Sequence, residues 1–203
     1  MGSKAAIVAF ADEHPRNILR REPEIDLQKA RLLAEEVLGA TASETELLPL
    51  DLAAWPSPGT VCTASFPGLE IVCSRDLAKA NPSQLTEYVA RRAAGRTAYG
   101  VFMHSAEDWA SFAMWSGGEL LRSVSMSPDS GITEDLGERL SFEIPFWNGQ
   151  RPASDSGYSL PFHPVELGNE ALREFFGFIL EGHEDSSCID PEEIEMPAFC
   201  AGG

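Results

Sequence analysis

Three period-two segments, residues 97–104, 109–115 and 120–126, follow one another almost without interruption. Their connections, Ser105-Ala106-Glu107-Asp108 and Ser116-Gly117-Gly118-Glu119, are turn-like and too short for a crossover. The segments must therefore run antiparallel as a β-meander. Side chains alternate along a strand, so a single cross-strand pair fixes all the others. With His104 opposite Trp109, Phe102 faces Ser111, Gly100 faces Ala113 and Ala98 faces Trp115. Across the second turn, Trp115 is expected opposite Leu120, Ala113 opposite Arg122, and Ser111 opposite Val124.

This register gives the meander two unlike faces. One carries Tyr99, Val101, Met103, Ala110, Phe112, Met114 and Leu121 and reads as core. The other has a small floor, Gly100, Ser111 and Ala113, inside a large rim of Phe102, His104, Trp109, Trp115 and Arg122. A small floor in an aromatic rim predicts a concavity for a small ligand, with Arg122 as the fork for a carboxylate or phosphate. The competing reading is that a helix packs there, the one bearing Phe176 with Gly177 in its middle.

The rest of the chain supplies the other elements of an α+β fold, with about seven strands in a mostly antiparallel sheet and three helices. Residues 5–11 read as a buried first strand, and residues 46–48 as a short strand before Pro49. Residues 60–74 form a hairpin turning at Pro67-Gly68, with Phe66 opposite Leu69, Ala64 opposite Ile71 and Cys62 opposite Cys73. Its alternation predicts one buried and one solvated side. Helices are expected from Asp26 as N-cap to Gly39, from Asn81-Pro82 to Gly95, and from Asn169 to Glu181, closed by Gly182. The domain is expected to span residues 1–182, with residues 183–203 an acidic, partly ordered tail.

Apolar residues make up 43% of the 203, enough for a core, and the net charge is −17. That charge repels phosphate backbones and anionic lipid heads, arguing against nucleic-acid and membrane partners. The apolar start is too early for a signal peptide, and no run approaches a membrane span, so a cytoplasmic setting is expected. Cys62, Cys73, Cys188 and Cys200 form no C-x-x-C motif and read as free thiols; a disulfide between Cys62 and Cys73 is the alternative.

Two further groups could carry chemistry. His104, Ser105 and Asp108 sit in one turn, but neighbouring strand residues point to opposite faces, so His104 and Ser105 are poorly placed to pair. His163 is held between Pro161-Phe162 and Pro164, and with His104, Asp12 and Asp108 it would make a two-histidine, two-carboxylate metal site or a general-base cluster. Asp12-Glu13 also read simply as the start of a loop.

Several phrases, taken in order, resemble a family of actinobacterial proteins known only as a domain of unknown function. They are Ser65-Phe66-Pro67-Gly68, Met103-His104-Ser105 with Asp108-Trp109, and Phe112-Ala113-Met114-Trp115. They continue with Ser125-Met126-Ser127-Pro128-Asp129, Gly137-Glu138, Phe142-Glu143, Phe146-Trp147 and Leu160-Pro161-Phe162-His163-Pro164, then Glu166-Leu167-Gly168. The resemblance runs from the first strand to the Phe176 helix, leaving the tail outside. It implies a bacterial, cytoplasmic, single-domain protein and carries over no activity, cofactor or catalytic residue. The expectation is a non-catalytic binding or interaction module with a small ligand or protein partner. The alternative is a hydrolase or metal-dependent enzyme using His104, Asp108, His163 and Asp12.

Overall fold

A strand that is apolar at every position needs cover on both faces, and residues 5–11 are such a run. In the computed structural model, which describes residues 2–153, 157–182 and 186–202, this segment is the middle of the sheet. The strands are β1 (Lys4–Ala11), β2 (Ala42–Pro49), β3 (Thr60–Phe66), β4 (Leu69–Cys73), β5 (Thr97–His104), β6 (Trp109–Ser116), β7 (Glu119–Ser127), β8 (Gly131–Gly137) and β9 (Glu195–Ala201). All pairings among the described residues are antiparallel, in the order β2-β9-β3-β4-β1-β5-β6-β7-β8.

The helices are α1 (Pro15–Leu19), α2 (Leu27–Leu38), α3 (Leu50–Ala53), α4 (Thr86–Ala93), α5 (Ile144–Trp147) and α6 (Pro164–Phe176). They form a layer on each side of the sheet. One core joins Ile7, Val101 and Phe112 to Leu50 of α3, Phe146 of α5 and Leu172 of α6. The other joins Val8, Phe102 and Trp115 to Leu33 of α2 and Val89 and Ala93 of α4. Among the described residues, no helix is long and apolar enough to cross a membrane.

The fold is therefore α+β with one large antiparallel sheet, but it has nine strands and six helices among the described residues rather than seven and three. The hairpin register holds: Cys62 faces Cys73, Ala64 faces Ile71 and Phe66 faces Leu69. Its polar-looking side is not solvated. Thr63 is fully buried, and its hydroxyl donates to the Ala30 carbonyl of α2 at 2.7 Å. Ala30 and Ala34 let the helix approach closely, so small hydroxylated residues on the strand are covered rather than wetted.

Helix ends follow their caps. The Asp26 carboxylate accepts from the Lys29 amide, and Gly39 closes α2 at φ 66°. Helix α6 starts earlier than expected because Pro164 takes its first turn after His163, and it stops at Gly177 (φ 86°), which is its C-cap rather than its middle.

The tail is the largest departure. Residues 183–185, where it was expected to begin, lie outside the described residues, but β9 is an inner strand between β2 and β3. Met196 and Ala198 enter one core and Phe199 a cluster with Ala34 and Val61. The ladder to β3 covers Thr60–Cys62 and ends at Ala198, next to Pro197, which has no N–H to contribute.

Cys62 and Cys73 are free thiols in the core. Burial pushes the Cys62 thiol up to about 12 and the Cys73 thiol well above its ordinary value, so neither is a thiolate at neutral pH. A thiol alkylating agent at pH 8 is accordingly expected to modify the half-buried Cys188 and Cys200 first and to reach the hairpin pair only on unfolding. Peptide mapping by mass spectrometry would check this, and early labelling of Cys62 or Cys73 would contradict it.

Candidate functional site

The β5–β6 register is the expected one along its whole length, from Thr97 opposite Ser116 to His104 opposite Trp109. The β6–β7 register is not. Trp115 faces Leu120 as expected, but a β-bulge then shifts the ladder by one, so Met114 faces Arg122 and Ala113 faces Ser123. Arg122 thereby leaves the small-floored face for the opposite one.

Both halves of the expected concavity are consequently filled. Phe102, Ala113 and Trp115 are fully buried. A Cβ added to Gly100 would lie 3.1 Å from Phe102 Cε2 and 3.3 Å from Trp115 Cζ3, so the rim's own rings fold over the floor. Leu85, Val89 and Ala93 close this face from above, and Trp115 Nε1 donates to Thr86 Oγ1 at 3.1 Å. The covering helix is α4. The Phe176 helix packs on the other side of the sheet. Trp109 stays half-buried, and its indole N–H donates to Ser125 Oγ at 3.2 Å, which donates to the Ala80 carbonyl.

Arg122 is saturated by the protein. Nε and Nη2 donate to the two oxygens of Glu143 at 2.9 and 2.6 Å, and Nη1 donates to Asp135 Oδ1 at 2.6 Å and to the Leu136 carbonyl at 2.9 Å. Glu143 also accepts from the Leu140 amide and Trp147 Nε1. Burial opposes the charge on Arg122, and the Glu143 and Asp135 hydrogen bonds overcome it and hold its pKa raised. With its donors turned inward on carboxylates, this guanidinium ties residues 135–147 to the sheet and has no fork to offer an incoming anion.

The four-residue polar cluster is divided by the sheet. His104 lies on the α4 face, its ring edge-on to Trp55 at 5.6 Å. His163 occupies the N-cap position of α6 on the other face, its ring 3.5 Å from Asp108 Oδ1 and stacked on Tyr158. Asp12 follows the opposite end of β1, roughly 25 Å along the strand from the position paired with His104. Among the described residues, no group of three or more His, Cys, Asp or Glu is arranged to hold a metal ion. His163 and Asp108 alone form an oriented, half-exposed imidazole–carboxylate pair.

A different site forms at the Lys4 end of β1, where β4 turns away. β4 pairs with β1 only from Ile7 to Ala11. Beyond that, the Ala6 amide donates to the Ala54 carbonyl at 2.8 Å and the Ser74 amide donates to the Ala6 carbonyl at 3.1 Å. Because two separate chain segments close on one residue, their next side chains, Trp55 and Arg75, are brought together. Two positions back along β1, Lys4 is the cross-strand partner of His104 on the same face.

The result is one indole flanked by two cations. The Arg75 guanidinium carbon is 5.2 Å and Lys4 Nζ 6.0 Å from the Trp55 ring centroid. Neither Lys4 nor Arg75 is ion-paired among the described residues. His104 Nδ1 is 4.0 Å from Glu107, a highly exposed carboxylate. Arg75 Nε and His104 Nδ1 are buried atoms with no hydrogen-bond partner among the described residues. Cation–π contact is worth only about 0.5–1 kcal/mol at exposed sites, so the ring orients these charges without neutralising them. Of this corner the sequence indicated His104 alone. Lys4, Trp55 and Arg75 meet through backbone pairing at Ala6, which leaves no local mark.

No curated protein and no solved structure matches the chain. A family model does, across residues 5–199, which takes in all of the first eight strands after Lys4 and most of β9. The chain thus belongs, over nearly its whole length, to DUF6928, a family of unknown function.

Proposed function

We propose that the protein is a non-catalytic binding module whose ligand is a small anion, carboxylate- or phosphate-bearing, held at the corner of Lys4, Trp55, Arg75 and His104. The observation that carries this reading is the gathering of two cationic side chains, Lys4 and Arg75, on one indole beside His104, with no ion-pair partner among the described residues and with the buried Arg75 Nε lacking an acceptor. In a chain of net charge −17 such side chains have carboxylates to spare as partners, yet among the described residues Lys4 and Arg75 have none within ion-pairing distance. Like charges held together favour a counter-anion, and a buried unpaired donor costs about 1–3 kcal/mol until something accepts from it.

The overall charge and the local charge select by size. At physiological salt, fields are screened beyond about 8 Å. A small ligand therefore meets the basic corner, whereas a nucleic acid or an anionic membrane surface would meet the acidic whole. The setting that goes with this reading is cytoplasmic.

The test is a thermal-denaturation screen with inorganic phosphate, citrate and other small carboxylates. A ligand at a hundred times its Kd adds about 2.7 kcal/mol, or about 5–10 °C in Tm for a chain of this size. Arg75→Gln, at a half-buried position, is expected to leave the ligand-free Tm within about 1–2 °C and to weaken binding at least tenfold, as loss of a charge-assisted hydrogen bond of ~1.5–3 kcal/mol requires. If no anion raises Tm, or the variant responds like the native chain, the reading fails.

The His163–Asp108 contact supports a second reading, a hydrolase in which Asp108 orients His163 as general base. Turnover in an ester and phosphoester panel that His163→Ala abolishes and Arg75→Gln spares would favour it over the binding module.

A further inference from the structure

On the far side of the sheet from α4, beside the edge strand β2, the surface holds an open groove of about 910 Å³. Its base is apolar: Leu19 and Phe66 are buried there, with Ile25 and Ile194 half-buried against the same core. Its lips are apolar too, and exposed: Leu27 is 53% and Leu47 46% open to solvent. Scattered exposed leucines need no explanation, but two flanking a continuous apolar floor mark an interaction surface.

The charge around the groove decides what fits it. Among the described residues, Glu22, Glu24, Asp190, Glu193 and Glu195 line it, against the single cation Arg20, one of whose guanidinium hydrogens is already given to the Ser187 carbonyl. An apolar trough rimmed by five carboxylates complements a segment that is apolar on one face and basic on the other, as in helix-in-groove recognition. A second copy of this chain would bring a like-charged surface to the same place. Backbone addition to β2 is opposed by the bulge between Glu44 and Glu46 and by those two charges on the edge.

We infer that this groove docks a basic, amphipathic segment of a protein partner, independently of the anion corner. The test is a random peptide-display selection against the full chain, followed by fluorescence anisotropy with the synthesised winners. The selected sequences are expected to carry Leu, Ile, Phe or Met at helical spacing among Lys and Arg. Leu27→Ser/Leu47→Ser, at exposed positions, should weaken binding at least tenfold while leaving the far-UV circular dichroism unchanged. Glu22→Gln/Glu24→Gln/Glu193→Gln should weaken it severalfold and flatten its salt dependence.

Several results would overturn the inference. Selected peptides lacking basic residues, binding unaffected by the leucine pair, or no enrichment would each do so. So would light scattering that finds a dimer which Leu27→Ser/Leu47→Ser dissolves, since the groove would then belong to a second copy.

Discussion

A chain ending at Ile194 is expected to yield no folded protein. β9 is the only partner of β2 among the described strands, and it also covers one edge of β3. Its loss strands β2, exposes β3, and removes Met196, Ala198 and Phe199, all fully buried. Truncating a buried Phe to Ala alone costs about 3–5 kcal/mol, against a total stability of about 5–15 kcal/mol. Phe199→Ala is therefore the graded form of the experiment, with a Tm lowered by roughly 6–20 °C. Soluble expression, circular dichroism and thermal melting read both. A truncated chain that folds and melts like the full one would mean that β9 is dispensable.

Glu143→Ala is expected to be nearly as damaging. It leaves Arg122, fully buried, without its two-oxygen partner, and strips Trp147 Nε1 and the Leu140 amide of their acceptor. Breaking a buried ion pair by removing one member costs about 3–5 kcal/mol, whereas replacing both by apolar groups of similar volume is often neutral. Arg122→Met/Glu143→Leu should accordingly recover most of the loss, because Asp135, at 34% side-chain exposure, can turn to water. Urea denaturation of the single and double variants measures the difference. Single variants within about 1 kcal/mol of the native chain would show that the network does not hold residues 135–147 in place.

These two elements also show where the sequence was legible. The β5–β6 pairing could be read because a four-residue turn joins partners that are adjacent in the chain, and alternation then fixed every pair. The same logic failed one strand later because a bulge is a single extra residue. Ser116-Gly117-Gly118-Glu119 looks alike with and without it, and what favours the shifted register is Glu143, some twenty residues on. β9 was hidden for a related reason. Glu195–Ala201 pairs with β2 and β3, far away in the chain, and Pro197 argues locally against an inner strand. β8 was missed because its sequence, Gly131 to Gly137 with Glu134 and Asp135, is that of a blunted edge.

The candidate site follows the same division. The small-floored face was readable as small, but whether an open cavity or packed rings resulted depended on Phe102 and Trp115 rotating inward over Gly100. His104 was readable as a singular polar group at a strand end. Its companions Trp55 and Arg75 come from two loops that β1 draws together at Ala6, a tertiary event with no sequence periodicity.

The binding corner is most directly tested by following the indole N–H resonances of Trp55, Trp109, Trp115 and Trp147 while inorganic phosphate, then citrate, is titrated at constant ionic strength. A site around Lys4, Arg75 and His104 predicts that the Trp55 signal moves along a saturable curve with at least one of these anions. The Trp115 and Trp147 signals, bonded to Thr86 and Glu143, should stay in place. A Trp55 resonance that does not move, or that drifts linearly with the other three, would contradict the account.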